Sequence, residues 1–227
     1  MKHLFKISFF SLFCLFFILS CSKKENSLPE PIDKSYFPLY VGLENIYKVE
    51  KIKIDEPINL YDTQRYYIKE KIESTYSDET GNKIYRIELY RKDDSLSNWV
   101  LFRAWMAQYV NNQAHKVEEN IRYVKLVFPL KINLKWNGNA YNTNETQLYY
   151  IKELDSRWNN FEKTCLVIQK EKESLVDKYY QTERYAKNVG LIEKIDIKIE
   201  QAYVIQGVPI EQRIKRGEIY RQTIINN

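Results

Sequence analysis

Isoleucine and charge alternate without a break in Lys194-Ile195-Asp196-Ile197-Lys198-Ile199-Glu200. A period of two puts Ile195, Ile197 and Ile199 on one face of an extended strand and the charges on the other, which a helix with its 3.6-residue repeat cannot do. The pattern predicts a strand with the three isoleucines on one buried face. Tyr85, Ile87 and Leu89 alternate in the same way with Arg86 and Glu88, and Tyr66, Ile68 and Ile72 share one parity. Between these runs lies Ser77-Asp78-Glu79-Thr80-Gly81-Asn82, where Gly81 is free to take positive φ, so the two runs read as an antiparallel hairpin. Near Ile46 the apolar parity passes from Tyr47 and Val49 to Ile52 and Ile54, a phase slip that predicts a β-bulge at Glu50-Lys51.

Further strands are expected at Asn98 to Trp105, Ile121 to Phe128, Gln147 to Glu153, Thr164 to Lys170, Tyr179 to Tyr185 and Gly217 to Ile225. Tyr alone occurs 19 times, and β-branched residues supply much of the remainder. Ala114, Val117, Ile121 and Val124 also fit a helical stripe, which leaves a short helix there as an alternative. The fold class that follows is mainly β: a single antiparallel curved sheet or half-barrel, with little helix outside the N-terminal segment. The domain is expected to span residues 36–227.

Ahead of it the chain changes character. Lys2, His3 and Lys6 precede the short apolar stretch Ile7 to Leu19, which ends in Ile18-Leu19-Ser20-Cys21. A basic start, an apolar segment too short to span a bilayer and a small residue at the cut form a secretory signal over residues 1–20. Ile-Leu-Ser-Cys resembles the lipobox of bacterial lipoproteins, which implies that Cys21 becomes the acylated first residue of the mature chain. Residues 21–35 are polar and contain Pro29 and Pro31, so they read as a lipidated flexible tether.

Composition removes several function classes. The formal net charge is +5, part of it from Lys2 and Lys6, too mild for a dedicated nucleic-acid binder. With Cys14 in the signal and Cys21 lipidated, Cys165 has no partner for a disulfide, and its apolar run Thr164-Cys165-Leu166-Val167-Ile168 reads as core. His115 is the one histidine after the signal. It stands at the exit of the polar stretch Asn111-Asn112-Gln113 and reads as an exposed loop residue, which leaves no histidine-based metal or catalytic set. Asp93-Asp94 and Glu118-Glu119 read as solvated, as do mixed-charge stretches such as Lys69-Glu70-Lys71 and Glu171-Lys172-Glu173. Six glycines form no phosphate loop. No catalytic, cofactor-binding or metal-ligating residue is assigned.

Phe37-Pro38-Leu39-Tyr40-Val41-Gly42-Leu43 has an echo in Phe128-Pro129-Leu130-Lys131-Ile132-Asn133-Leu134, followed by Tyr47 and Trp136 respectively. A chance match and a structural half-repeat both account for it. Proline donates no backbone hydrogen bond, so each copy is expected at the start or edge of a strand. These segments, with Tyr185-Ala186-Lys187-Asn188-Val189-Gly190-Leu191-Ile192, resemble a group of Bacteroidetes-type outer-membrane lipoproteins. Ile46 stands near a position where that group often has Trp, and Asn133 replaces its second Gly. The resemblance implies a curved antiparallel sheet or half-barrel and no particular activity.

These features together lead to the expectation of a lipoprotein anchored in the outer membrane through Cys21, on its periplasmic or its surface face. Its domain is read as a non-enzymatic binding or assembly module, with no cofactor and no nucleic acid, and with an envelope protein or glycan as partner. Trp99, Trp105, Trp136 and Trp158 are the candidate ligand contacts, since aromatic faces stack on sugars and line apolar pockets. An envelope hydrolase acting on glycan and a purely structural envelope protein are the alternatives. A hydrolase would require two carboxylates, or a nucleophile and base, brought together by the fold. A closed core lacking a pocket of several hundred cubic ångströms would remove the basis for ligand binding.

Overall fold

A computed structural model describes residues 32–225, and these form one compact unit. The proposed signal, the proposed lipidation site Cys21 and most of the proposed tether lie outside the described residues. Residues 32–35 belong to the domain: the Asp33 carboxylate is 2.7 Å from the Lys187 ammonium, and the Ser35 N–H donates to Asp33.

The first half of the domain holds β1 (Glu44–Asp55), β2 (Leu60–Ser77), β3 (Lys83–Lys92), β4 (Val100–Val110), β5 (Gln113–Glu118) and β6 (Ile121–Val127). The second holds β7 (Lys135–Asn137), β8 (Leu148–Trp158), β9 (Phe161–Glu173), β10 (Lys178–Ala186), β11 (Gly190–Ala202) and β12 (Ile214–Ile224). They form one antiparallel sheet in the order β6-β5-β4-β3-β2-β1-β12-β11-β10-β9-β8-β7. Every strand lies beside its neighbours in sequence except at β6 and β7, while β1 and β12 share a continuous ladder from Tyr47↔Ile224 to Asp55↔Arg216. The sheet curls until its two edges meet and is a nearly closed barrel. At the meeting point the Val124 N–H donates to the Gly138 carbonyl at 2.9 Å, the Trp136 indole N–H donates to the Val124 carbonyl at 2.9 Å, and the Asn142 amide donates to the Arg122 carbonyl at 2.8 Å. Curling a sheet into a barrel in this way protects edges that would otherwise invite pairing with other chains.

The echo in the sequence is a structural repeat. Gly42 donates its N–H to the Ile72 carbonyl, Ile72 donates back to Leu43, and Leu43 donates to Tyr40; Asn133, Ile151, Leu134 and Lys131 repeat the same three bonds. Gly42 has φ +95° and Asn133 has φ +64°, so the glycine and the asparagine that replaces it both occupy the left-handed region each tolerates. Each copy opens a six-strand meander and packs beside the turn between the fourth and fifth strands of the other meander. Asn188 donates to Ser35 at 2.8 Å, and Phe128 to Asn112 at 2.7 Å.

The main core packs part of the barrel interior with inward side chains that include Tyr47, Val49, Ile68, Leu89, Leu126, Phe128, Tyr149, Ile151, Val167 and Tyr185. Ile197 and Ile199 are buried on one face, as the alternation predicted, and that face is the outer one. They pack outside the barrel with Ile219, Ala202 and Ile52 beneath Ile210 of the β11–β12 connection. That second cluster accounts for the phase slip in β1, which is not a bulge. The β1 registers with β2 and β12 run without a shift, and Tyr47 and Val49 face inward while Ile52 faces the outer cluster.

Other expectations need correction. The β2–β3 hairpin and the six further strands form, whereas β5 and β7 were not foreseen, and residues 114–124 form two strands instead of a helix. His115 is not an exposed loop residue: it lies in β5, 1% exposed, with its ring 4.7 Å from that of Tyr141. Glu118 and Glu70 are not solvated, and both point into the barrel.

Candidate functional site

Residues opposite each other in an antiparallel register share a face. The row Glu183↔Lys194, Lys194↔Gln222, Gln222↔Val49 and Val49↔Tyr66 therefore crosses four strand pairs on the inner wall. Further round, Ala107↔Lys116 and Lys116↔Tyr123 point the same way. The charged residues of β11 thus face the lumen and its isoleucines face out.

Six of these inward groups form an ionic belt drawn from five strands. Lys116 is 3.0 Å from Glu70 and 3.9 Å from Glu118. Lys125 is 3.0 Å from Glu118 and 2.8 Å from Glu183. Lys194 approaches the same two carboxylates at 3.4 and 3.6 Å, and the Tyr185 hydroxyl donates to Glu183 at 2.5 Å. Three cations and three anions balance. Burial opposes ionisation of Glu118, yet the ammonium groups of Lys125, Lys194 and Lys116 outweigh it and hold the carboxyl well below its ordinary range. Glu183 is shifted downward by the same balance of burial against Lys125 and Lys194. Burial likewise opposes the charge on Lys125 and Lys194, and Glu118 and Glu183 more than offset it, raising both ammonium groups. Glu118, Glu183, Lys125 and Lys194 therefore stay charged around neutrality, although burying ions is costly unless they are paired.

Against this belt lies a cavity of about 520 Å³ lined by residues of β1 to β6, β11 and β12. The volume is within the range of small-molecule sites, roughly 300–1,000 Å³. Tyr66, Phe102, Trp105, Tyr123 and Tyr220 contribute its aromatic surface. Its other cations are matched as well: Lys51 with Glu218 at 3.1 Å, Arg103 with Glu119 at 3.0 Å, and Arg91 with Asp93 at 2.8 Å. Gln222 is 5% exposed and accepts from the Tyr220 hydroxyl at 2.7 Å, while its amide nitrogen is buried and has no partner among the described residues. A second cavity of about 60 Å³, between the opener at Phe37 to Leu39 and Val189, is far smaller and mostly apolar.

The four tryptophans do not converge. Trp105 lines the large cavity, donates its indole N–H to Glu119 at 3.2 Å and carries Lys116 over its ring at 4.7 Å. Trp99 lies in the β3–β4 loop between Lys69 and Lys92. Trp136 is buried in the barrel seam against Tyr149, and Trp158 stacks on Phe161 at the β8–β9 turn. The lumen residues that sequence reasoning missed, Glu70, Lys116, Glu118, Lys125, Glu183, Lys194 and Gln222, carry no local signal. Most of their neighbours in the chain are themselves buried or half-buried, and only the closure of the barrel shows that these polar groups point inward.

Among the described residues no group of three or more His, Cys, Asp or Glu is arranged to hold a metal ion. Cys165 is fully buried, and burial pushes its thiol up to about 12, so it is unreactive at neutral pH. No helix among the described residues is long and apolar enough to cross a membrane. No protein-family model, curated protein or solved structure matches the chain.

Proposed function

We propose that this chain is a lipid-anchored, non-enzymatic binding protein of the cell envelope that holds a small ligand in the barrel lumen. The observation that carries the reading is the cavity of about 520 Å³, walled by aromatic rings and paired charges. Barrels of this kind enclose ligands when side chains do not fill them. Glu118 and Glu183, which share Lys125 and Lys194, are held ionised by those lysines, so neither is the proton donor of raised pKa that glycosidic acid catalysis requires. That favours binding over hydrolysis. The anchor follows from the lipobox-like Ile18-Leu19-Ser20-Cys21, and two or more acyl chains give stable attachment where one does not.

Two measurements test the reading. Mass spectrometry of the protein from native membranes should find Cys21 as the acylated first residue, and an unmodified chain beginning elsewhere would refute the anchor. Native mass spectrometry of the intact lipoprotein should show a small-molecule adduct that is lost in Ile121→Trp, a substitution that fills the lumen. A wild-type protein that never carries an adduct, whether isolated from membranes or offered envelope extracts, would refute the binding role.

A further inference from the structure

Resting on the binding reading above, we infer that the lumen ligand is an organic cation, a protonated amine held between the Asp196 carboxylate and the Tyr220 ring. Asp196 is half-buried on the inner face of β11 and lines both the cavity of about 520 Å³ and an adjoining one of about 390 Å³. It is the odd member of the charge pattern. Of the other carboxylates lining the two cavities, Glu70, Glu118 and Glu119 each have a lysine or arginine at 3.0 Å, Glu218 has Lys51 at 3.1 Å, Asp55 has Arg216 at 3.2 Å, and Glu200 has Lys198 at 2.9 Å. Asp196 has no such group in contact among the described residues. Its charge is felt at Lys194 and Lys198, but those ammonium groups are engaged by Glu118 and Glu200.

One oxygen of Asp196 is open. Its Oδ1 accepts from the Gln181 amide at 3.0 Å, and the Gln181 carbonyl accepts in turn from the Gln147 amide at 3.0 Å, so the carboxylate is steadied from the β10 side. The Oδ2 atom has no partner among the described residues and keeps accessible surface. The aromatic wall shows the same gap. Tyr66 has Arg91 over its ring, Phe102 has Arg103, Trp105 has Lys116 and Tyr123 has Lys125, whereas the Tyr220 ring carries no cation from the described residues. Tyr220 stands directly opposite Asp196 in the β11–β12 register, so the unmatched carboxylate and the unmatched ring share one place on the inner wall. A cation completes both, through charge-assisted hydrogen bonds to the carboxylate and attraction to the ring. An anion would be repelled by Asp196, and every lysine and arginine of the larger cavity already has a carboxylate within 3.4 Å. In the adjoining cavity Lys53 is the one cation without a carboxylate in contact among the described residues, and it is exposed to water.

The test is calorimetry on the full-length lipoprotein in a neutral detergent, with three probes that share a body and differ in the charge of the head: phenethylamine, phenethyl alcohol and hydrocinnamate. The amine should bind about tenfold more tightly than the alcohol, and the carboxylate should not bind. Asp196→Asn keeps an acceptor for the Gln181 amide but removes the charge, and should weaken the amine about tenfold without affecting the alcohol. Asp196→Ser provides the same test if the asparagine variant does not fold. Failure of the amine to bind, equal binding of amine and alcohol, preference for the carboxylate, or undiminished amine binding in a folded Asp196 variant would each overturn the assignment. So would an adduct from native membranes that proves neutral or anionic, and that result would leave the lumen-binding role standing. An absence of any adduct would instead remove the binding role itself, and the amine with it.

Discussion

The two six-strand meanders begin alike and end differently. Both open with Phe-Pro-Leu, a left-handed residue, and the same pair of bonds to the second strand, to Ile72 in one case and Ile151 in the other. After Leu43 the chain continues as Glu44–Asp55, rich in Ile and Val, and β1 zips fully to β12. After Leu134 it continues as Lys135-Trp136-Asn137 and then Gly138-Asn139-Ala140-Tyr141-Asn142, where turn-forming residues end β7 after three positions. One junction between the meanders is thus a ladder and the other a seam held by a few bonds around Val124. The same turn specifies where a strand starts, and the residues that follow decide whether it can close a barrel.

Three measurements would break or sharpen that contrast, taken from the largest effect down. Lys125 on β6 reaches across the seam to Glu183 on β10, so the ionic belt joins the meanders where the ladder does not. Glu183→Gln should leave buried lysines short of a counter-charge and cost about 3–5 kcal/mol in urea unfolding. Glu200→Gln, which breaks the exposed pair with Lys198, should cost less than about 1 kcal/mol. Equal losses would show that the belt is not what holds the seam.

Acid should loosen the seam before the ladder. His115 is buried beside Tyr141 in the segment that follows β7, and burial, with a smaller contribution from the Arg122 charge, lowers its pKa from 6.5 to about 4. The unfolded chain therefore takes up the proton first. The stabilisation from neutral His115 is complete above about pH 6.5 and declines as the pH falls toward 4. Hydrogen exchange across this interval should rise at Val124 and Asn142 while the β1–β12 amides stay protected, and His115→Gln should flatten the rise.

The smallest effect probes the turns themselves. Gly42→Ala places a side chain at φ +95°, free of clashes but strained, and should cost about 1–2 kcal/mol. Asn133→Ala should cost less, because φ +64° is less extreme, and Asn133→Gly should be close to neutral. A costly Asn133→Gly would separate the two turns energetically despite their shared bonding.

Much of this was legible in the chain. Period-two alternation located ten of the twelve strands and the β2–β3 hairpin, and the Phe-Pro-Leu echo marked where each meander starts. The short strands escaped: Gln113–Glu118 mixes apolar and charged residues because one face meets the ionic belt and the other meets Tyr141, and Lys135–Asn137 is too brief to show a period. Alternation also states which residues share a face without stating which face is inside. In β11 Lys194 and Asp196 face the lumen and the buried Ile197 and Ile199 lie outside under Ile210. Glu70 and Glu118 were misread as solvated for the same reason, since their cationic partners are supplied by other strands and leave no local trace.

The order of the strands also bears on how the barrel is assembled. Every ladder but one joins neighbours in sequence and can form by local hairpin growth, each meander on its own. The exception pairs Tyr47 with Ile224, at opposite ends of the domain. Bringing those ends together carries the largest loop entropy in the molecule and is repaid only when both sheets exist. The topology therefore predicts that the barrel is completed by docking of two sheets, at a rate that depends on the β1–β12 contact far more than on any hairpin turn.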